Sequence, residues 1–191
     1  FFAGDGRKGI PGLVVSALLQ QNPLMIYAGQ EYGERGMDKE GFSGHDGRTT
    51  IFDYWSIDTL VRASQRKLTA EEKSLKDIYN KVVTMARSEK TVTDGVSFDL
   101  MYVNGHLQSQ YAFLRKAVSE VLLVVVNFAE TSVETGVTIP AHAFDYLGIK
   151  EKNAQAVNLM TGDKQKLQLK RDEAVSVSLA PLSAVVLKFK A

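Results

Sequence analysis

The chain has 191 residues, 45% of them hydrophobic and 24% charged, with a formal net charge of +1, an ordinary composition with room for one or two hydrophobic cores. So small a charge gives no reason to expect nucleic acid or an acidic membrane surface as a partner, and the absence of cysteine excludes disulfides, thiolate metal sites and cysteine nucleophiles. No stretch approaches the roughly 18 consecutive apolar residues of a membrane span, and the opening Phe1-Phe2-Ala3-Gly4, without initiator Met or signal-peptide pattern, suggests a fragment or a chain whose start has been lost.

In chain order, Gly4-Asp5-Gly6-Arg7-Lys8-Gly9 matches G-x-G-x-x-G, with a helix after it and Glu31 about twenty residues on. A dinucleotide site also needs a buried strand before the first glycine, and only Phe1, Phe2 and Ala3 precede it. The glycines therefore read as a loop leading into a helix over residues 7–20, whose Ile10, Leu13, Val14, Ala17 and Leu18 share one face. Pro11 fits its first turn, and Asn22-Pro23 ends it. Residues 24–27 then form an apolar run without alternation, as in a parallel strand covered on both faces. This is the expected scaffold strand, delivering a site at its carboxyl end.

From Gly29 to Thr50 no periodicity survives. Gly29, Gly33, Gly36, Gly41, Gly44 and Gly47 alternate with charged residues, among them Glu31, Glu34, His45, Asp46 and Arg48. So long an unstructured stretch in a compact domain is typically functional or disordered. Phe52, Tyr54 and Trp55 follow, and aromatics beside carboxylates and an Arg suit sugar binding, because ring faces stack on pyranoses while charged groups bind hydroxyls. The same aromatics could equally pin the loop to its scaffold. His45, His106 and His142 read as surface or hydrogen-bonded residues, since none has partners at metal-ligand spacing.

A short helical segment is expected over residues 57–64. Thr69-Ala70-Glu71-Glu72 is a capping box opening a helix to Arg87, with Leu75, Ile78, Tyr79, Val82 and Ala86 on one face. The polar run 88–95 is the expected domain boundary. Beyond it the period changes to 2. Strands are expected over 97–103 and 107–115 around an Asn104-Gly105 hairpin turn, over the continuous apolar run 121–128, and over 132–139, 156–159, 166–169, 174–179 and 184–189. Turns are expected at Thr135-Gly136, Thr161-Gly162-Asp163 and Ala180-Pro181, with a helical turn over 141–147. Val175, Val177 and Leu179 should face the core. About eight short antiparallel strands argue a sandwich.

Two segments carry a resemblance. Leu24-Met25-Ile26-Tyr27-Ala28-Gly29-Gln30-Glu31 resembles the "IYYGQE" segment at the eighth barrel strand of the α-amylase family, with Ala28 in place of the second Tyr. Gly47-Arg48-Thr49-Thr50-Ile51-Phe52-Asp53-Tyr54-Trp55 resembles the segment that follows it there. The resemblance implies an α+β fragment: the last strand and helices of a TIM (β/α)8 barrel in residues 1–90, then an antiparallel β-sandwich in 95–191. It implies the C-terminal portion of a retaining glycosidase of α-amylase or α-glucosidase type, acting on starch or maltooligosaccharides. Gln30, Glu31 and Arg48 would then serve substrate binding, although the residues by themselves read Gln30 and Glu31 as anchors of their loop.

A retaining glycosidase needs two carboxyl groups about 5 to 5.5 Å apart across the scissile bond. The family's catalytic motifs do not occur in this chain, so no catalytic residue is assigned and the chain alone is expected to be inactive. Glu31 and Glu34 share one loop without an opposed wall; a supporting role suits Glu31 and a solvated surface Glu34. No cofactor or metal site is expected within the chain, although the resemblance admits calcium (Ca2+) in an intact parent, on upstream ligands. The implied partners are an α-glucan and the missing N-terminal part of the barrel. The alternative is a noncatalytic scaffold or carbohydrate-binding module. One strand between two helices cannot bury Leu24, Met25 and Ile26, at about 1.5 to 3 kcal/mol each. Residues 95–191 should therefore be the independently stable unit, with 1–87 ordered by docking on it, on a second copy, or on the missing piece.

Overall fold

The computed structural model describes residues 6–34 and 57–191. The chain forms two compact units, Phe1–Ile10 with Pro23–Asn80, and Pro11–Asn22 with Lys81–Ala191.

The larger unit is built on antiparallel strands β1 (Val96–Asp99), β2 (Gln110–Ala117), β3 (Glu120–Asn127), β4 (Val133–Thr138), β5 (Lys152–Asn158), β6 (Lys164–Leu169), β7 (Ala174–Leu179) and β8 (Ser183–Lys190). Six of them make one sheet in the order β1-β2-β3-β8-β5-β6, and β4 pairs with β7 in a second. The apolar run of β3 lies inside the larger sheet, between β2 and β8. It does not alternate because both faces are covered. Leu123 and Val125 join Leu114, Leu187 and Phe189 in the core that also takes Val175, Val177 and Leu179 from β7. Leu122, Val124 and Val126 occupy the opposite face and are equally buried. The short helix α5 (Ala141–Leu147) closes the sandwich core with Ala143, Phe144 and Leu147, and Gly148 ends it in the left-handed conformation.

Helix α1 (Ile10–Leu18) buries the face expected of it, Ile10, Leu13, Val14, Ala17 and Leu18. The polar run before the sandwich folds into a short helix, α4 (Lys90–Thr93), with Thr91 and Val92 buried. It is held by Arg115, which points from β2 away from the sandwich core. Its guanidinium donates to the carbonyl oxygens of Thr91 (2.9 Å), Val92 (2.5 Å), Gly95 (2.9 Å) and Leu19 (3.0 Å). These carbonyls lie at helix ends or in the turn beyond, where backbone acceptors lack helical partners. Gly95 is required here by proximity, because a Cβ on it would stand 2.2 Å from the Thr91 oxygen.

Two turn expectations are corrected. Asn104-Gly105 is not a two-residue hairpin turn: a 3-10 turn, Met101–Val103, intervenes between β1 and β2, and Asn104 is fully buried. Its amide nitrogen donates to the oxygens of Leu100 (2.8 Å) and Thr138 (3.0 Å), and its Oδ1 accepts from the Thr138 amide (2.8 Å). The side chain thus ties the connection to β4, which local turn statistics do not register. Thr135-Gly136 lies inside β4 opposite Val177 and Ser176. The glycine there relieves a contact with Ala174, whose Cβ would be 2.8 Å from an added Cβ. The actual tight hairpin joins β2 to β3 through Val118 and Ser119, with Val118 at φ 50°.

The smaller unit contains a 3-10 turn at Gly6–Gly9, another at Gln30–Tyr32, helix α2 (Asp58–Ser64) and the start of helix α3 (Ala70–Ser88). The capping box forms: Thr69 Oγ1 accepts from the Glu72 amide (3.2 Å) and Glu72 accepts from the Thr69 amide (2.8 Å). Glu72 also pairs with Arg62 of α2, its Oε1 3.0 Å from Nε. The expected buried strand at 24–27 is not formed. Met25 is 85% exposed and Leu24 37%. A parallel strand is buried by neighbours on both sides, and no strand among the described residues pairs with this segment.

Candidate functional site

Two residues expected to serve substrate lie in a compact loop framed by glycines. Gly29 and Gly33 both adopt the left-handed conformation, at φ 90° and 80°, where a side chain is strained. Between them the chain makes one 3-10 turn, closed by Tyr32 N–H donating to the Gly29 oxygen (3.0 Å) and Gly33 N–H to that of Gln30 (3.1 Å).

Gln30 anchors this turn. Its Oε1 accepts from the Tyr27 amide at 3.2 Å, and its side chain lies near the phenol of Tyr79. Tyr79 is almost wholly buried on α3. Burial raises its pKa, with nearby Gln30 opposing the rise and the Glu31 charge adding to it. Glu31 is half-buried, with Oε2 enclosed and making no hydrogen bond among the described residues. A shielded carboxylate oxygen of this kind can accept a hydroxyl or an amide brought to it. Glu34 is not the solvated residue expected: its Oε2 accepts from the buried Thr59 hydroxyl of α2 at 2.6 Å. On the loop's other flank the Lys76 ammonium lies 5.6 Å from the centre of the Tyr32 ring.

Gln30 and Glu31 are thus brought to one buried phenol. Arg48 lies outside the described residues, as do His45, Asp46, Phe52, Tyr54 and Trp55. Thr59 and Tyr79 were missed as partners of this loop, because each reads in sequence only as part of its helix. Among the described residues no group of three or more His, Asp or Glu side chains is placed to hold a metal ion. No described helix is long and apolar enough to cross a membrane. In the larger unit, His106 Nε2 lies 2.9 Å from the Gly136 oxygen and His142 packs edge-on to Phe98.

The strands of the larger unit form two antiparallel sheets. Residues 102–190 match the family model described as alpha amylase, C-terminal all-beta domain, and the resemblance to the α-amylase family is borne out. In fold, the likeness extends along nearly the whole chain. The structure of AmyP in complex with maltose is 18% identical with a TM-score of 0.65, over 96% of this chain and 34% of that one. The maltogenic α-amylase AmyB from Thermotoga neapolitana is 13% identical at 0.62, over 97% and 37%. The isomaltulose synthase PalI from Klebsiella sp. LX3 is 19% identical at 0.54, over 97% and 38%. The chain thus spans about a third of the length of these structures. Comparison with curated proteins returns no match.

Proposed function

We propose that this chain is the C-terminal portion of an α-amylase-like retaining glycosidase acting on α-glucans such as starch and maltooligosaccharides. The reading is carried by the match of residues 102–190 to the α-amylase C-terminal all-β domain, and the maltose and maltotriose complexes among its structural neighbours support an oligosaccharide as ligand. The catalytic carboxylates are placed upstream, so that the 191-residue chain itself has no glycosidase activity. In that parent, residues 1–90 are the end of the barrel and 95–191 the C-terminal domain, with calcium, where bound, held by upstream ligands.

Within the site, the Gln30 bond to the Tyr27 amide sets the turn and thereby aims Glu31, while Arg48 binds substrate hydroxyls through its fork of donors. The experiment is hydrolysis of maltooligosaccharides by the intact parent, with the product anomer followed by proton NMR. Release of the α-anomer first is expected, as two displacements preserve configuration. Inversion, or no turnover of any α-glucan, would overturn the proposal.

A further inference from the structure

Four rings meet on the surface of the larger unit, and they come from three separate elements. Phe98 of β1 rests on the sandwich core. Around it stand Tyr102, in the 3-10 turn after β1, at 6.2 Å between ring centres, His142 at 5.5 Å and Tyr146 at 5.9 Å. His142 and Tyr146 are one turn apart on α5, their rings 6.3 Å apart, so they share one helix face. The opposite face of α5 fills the core. Tyr102 and Tyr146 are each 61% exposed. Single exposed aromatics need no explanation, but rings assembled in mutual contact form a patch, and patches mark binding surfaces.

The chemistry of the patch selects its occupant. Each exposed ring named carries a polar atom, a phenol or an imidazole nitrogen, as suits a ligand with apolar faces and hydroxyl edges. Next to Tyr146 on the same helix, Asp145 is paired with Arg171 at 2.7 Å, and both are partly open to solvent, Asp145 the more so. Such charged groups accept from and donate to vicinal hydroxyls. The rings are not coplanar: Phe98 is inclined 56° to Tyr102, 44° to Tyr146 and 74° to His142. A faceted surface fits a curved chain whose successive rings turn, whereas a flat β-linked ribbon calls for coplanar platforms.

Building on the α-glucan reading above, we propose that Tyr102, Tyr146 and His142, seated on Phe98, form a noncatalytic binding platform for an α-1,4-linked glucan segment. It lies in the C-terminal domain and is composed of residues separate from the loop of Gln30 and Glu31. Its role is to hold a stretch of substrate chain and raise its local concentration for the parent enzyme.

The test is titration of the full 191-residue chain with maltoheptaose, and with cellohexaose as the β-linked control, followed by calorimetry. The chain is expected to bind maltoheptaose in preference, and the double variant Tyr102→Ala, Tyr146→Ala to bind it about tenfold more weakly or worse, as expected for two lost stacking contacts. The conservative pair Tyr102→Phe, Tyr146→Phe should retain most of the affinity, which separates stacking from misfolding. Undiminished binding in the alanine variant would overturn the platform and leave the α-glucan reading standing. So would failure of the wild-type chain to bind maltoheptaose while the parent hydrolyses starch. Sedimentation showing instead that the alanine variant loses a self-association of the wild type, with no glucan bound, would assign the rings to a second copy.

Discussion

Replacing Arg115 by Met tests how the larger unit is held together. Arg115 is 1% exposed, and burial pulls its pKa below the ordinary value, yet an arginine stays charged. No carboxylate is among its hydrogen-bond partners on the described residues; its charge is met by the four carbonyls of Leu19, Thr91, Val92 and Gly95. Met fills a similar volume without donors. The Thr91 and Val92 bonds are wholly buried, while those to Leu19 and Gly95 are partly open to water. A buried acceptor left unpaired costs about 1 to 3 kcal/mol, and water can recover much of that at the two open sites. The two closed carbonyls therefore set the loss at about 2 to 6 kcal/mol. That is a large part of the 5 to 15 kcal/mol of a typical domain. Urea unfolding followed by far-ultraviolet circular dichroism gives the number, and hydrogen exchange should show the amides of α4 released first. A Met variant within about 1 kcal/mol of wild type would refute this reasoning, since it would mean that the Thr91 and Val92 carbonyls are not left unpaired.

Further outcomes follow from individual contacts and are each read from a shift in the unfolding midpoint unless another assay is named. Val118 is a β-branched residue at positive φ, 86% exposed, in a two-residue hairpin; Val118→Gly should stabilise by about 1 kcal/mol, the cost of the strained turn outweighing the added chain entropy. Asn104→Ala should cost about 2 to 4 kcal/mol through three lost bonds, whereas Gly105→Ala, with open space around its Cβ, should be nearly neutral. Glu72 and Glu120 have pKa values lowered chiefly by hydrogen bonds from Arg62 and from Lys190 and Lys188, respectively. Their contribution is complete above the ordinary carboxylate value of 4.5 and lost as pH falls through the depressed folded values; a pH series of midpoints should decline on that side, and less in Glu120→Gln. In the intact parent, Arg48→Ala should raise KM with little loss of stability.

Where periodicity reports burial, the fold was legible. The apolar run of β3, the alternation of Val175, Val177 and Leu179, and the buried stripe of α1 all follow from side-chain spacing, because each is buried by its immediate neighbours in the sheet or helix layer. Residues whose environment is supplied from far along the chain were not legible. Asn104 looked like a turn residue because its bond to Thr138 spans 34 positions, and Arg115 looked like any charged residue in a strand although its Leu19 contact spans 96. The loop of Gln30 and Glu31 could be located from its glycines, but its contact with Tyr79 could not, since Tyr79 reads as one more apolar position of a helix face. Leu24 and Met25 were assigned to a covered strand from an apolar run without alternation, and such a cover depends on partners that the run itself does not supply. The domain proposal has a related consequence: residues 95–191 retain the eight described strands but separate Arg115 from the carbonyls of Leu19, Thr91 and Val92. Expressed alone, they should be destabilised by more than Arg115→Met, because the packing of α4 on β2 and β3 is lost as well.

The central claim, that the chain is the noncatalytic end of an α-glucan-active glycosidase, is tested most directly by assaying two proteins side by side on starch and maltoheptaose: the purified 191-residue chain, and the same chain preceded by the remainder of its parent barrel. Turnover by the longer protein alone is the expected result. Turnover by the 191-residue chain that Glu31→Gln abolishes would contradict it, and would place the catalytic carboxylate in the loop between Gly29 and Gly33.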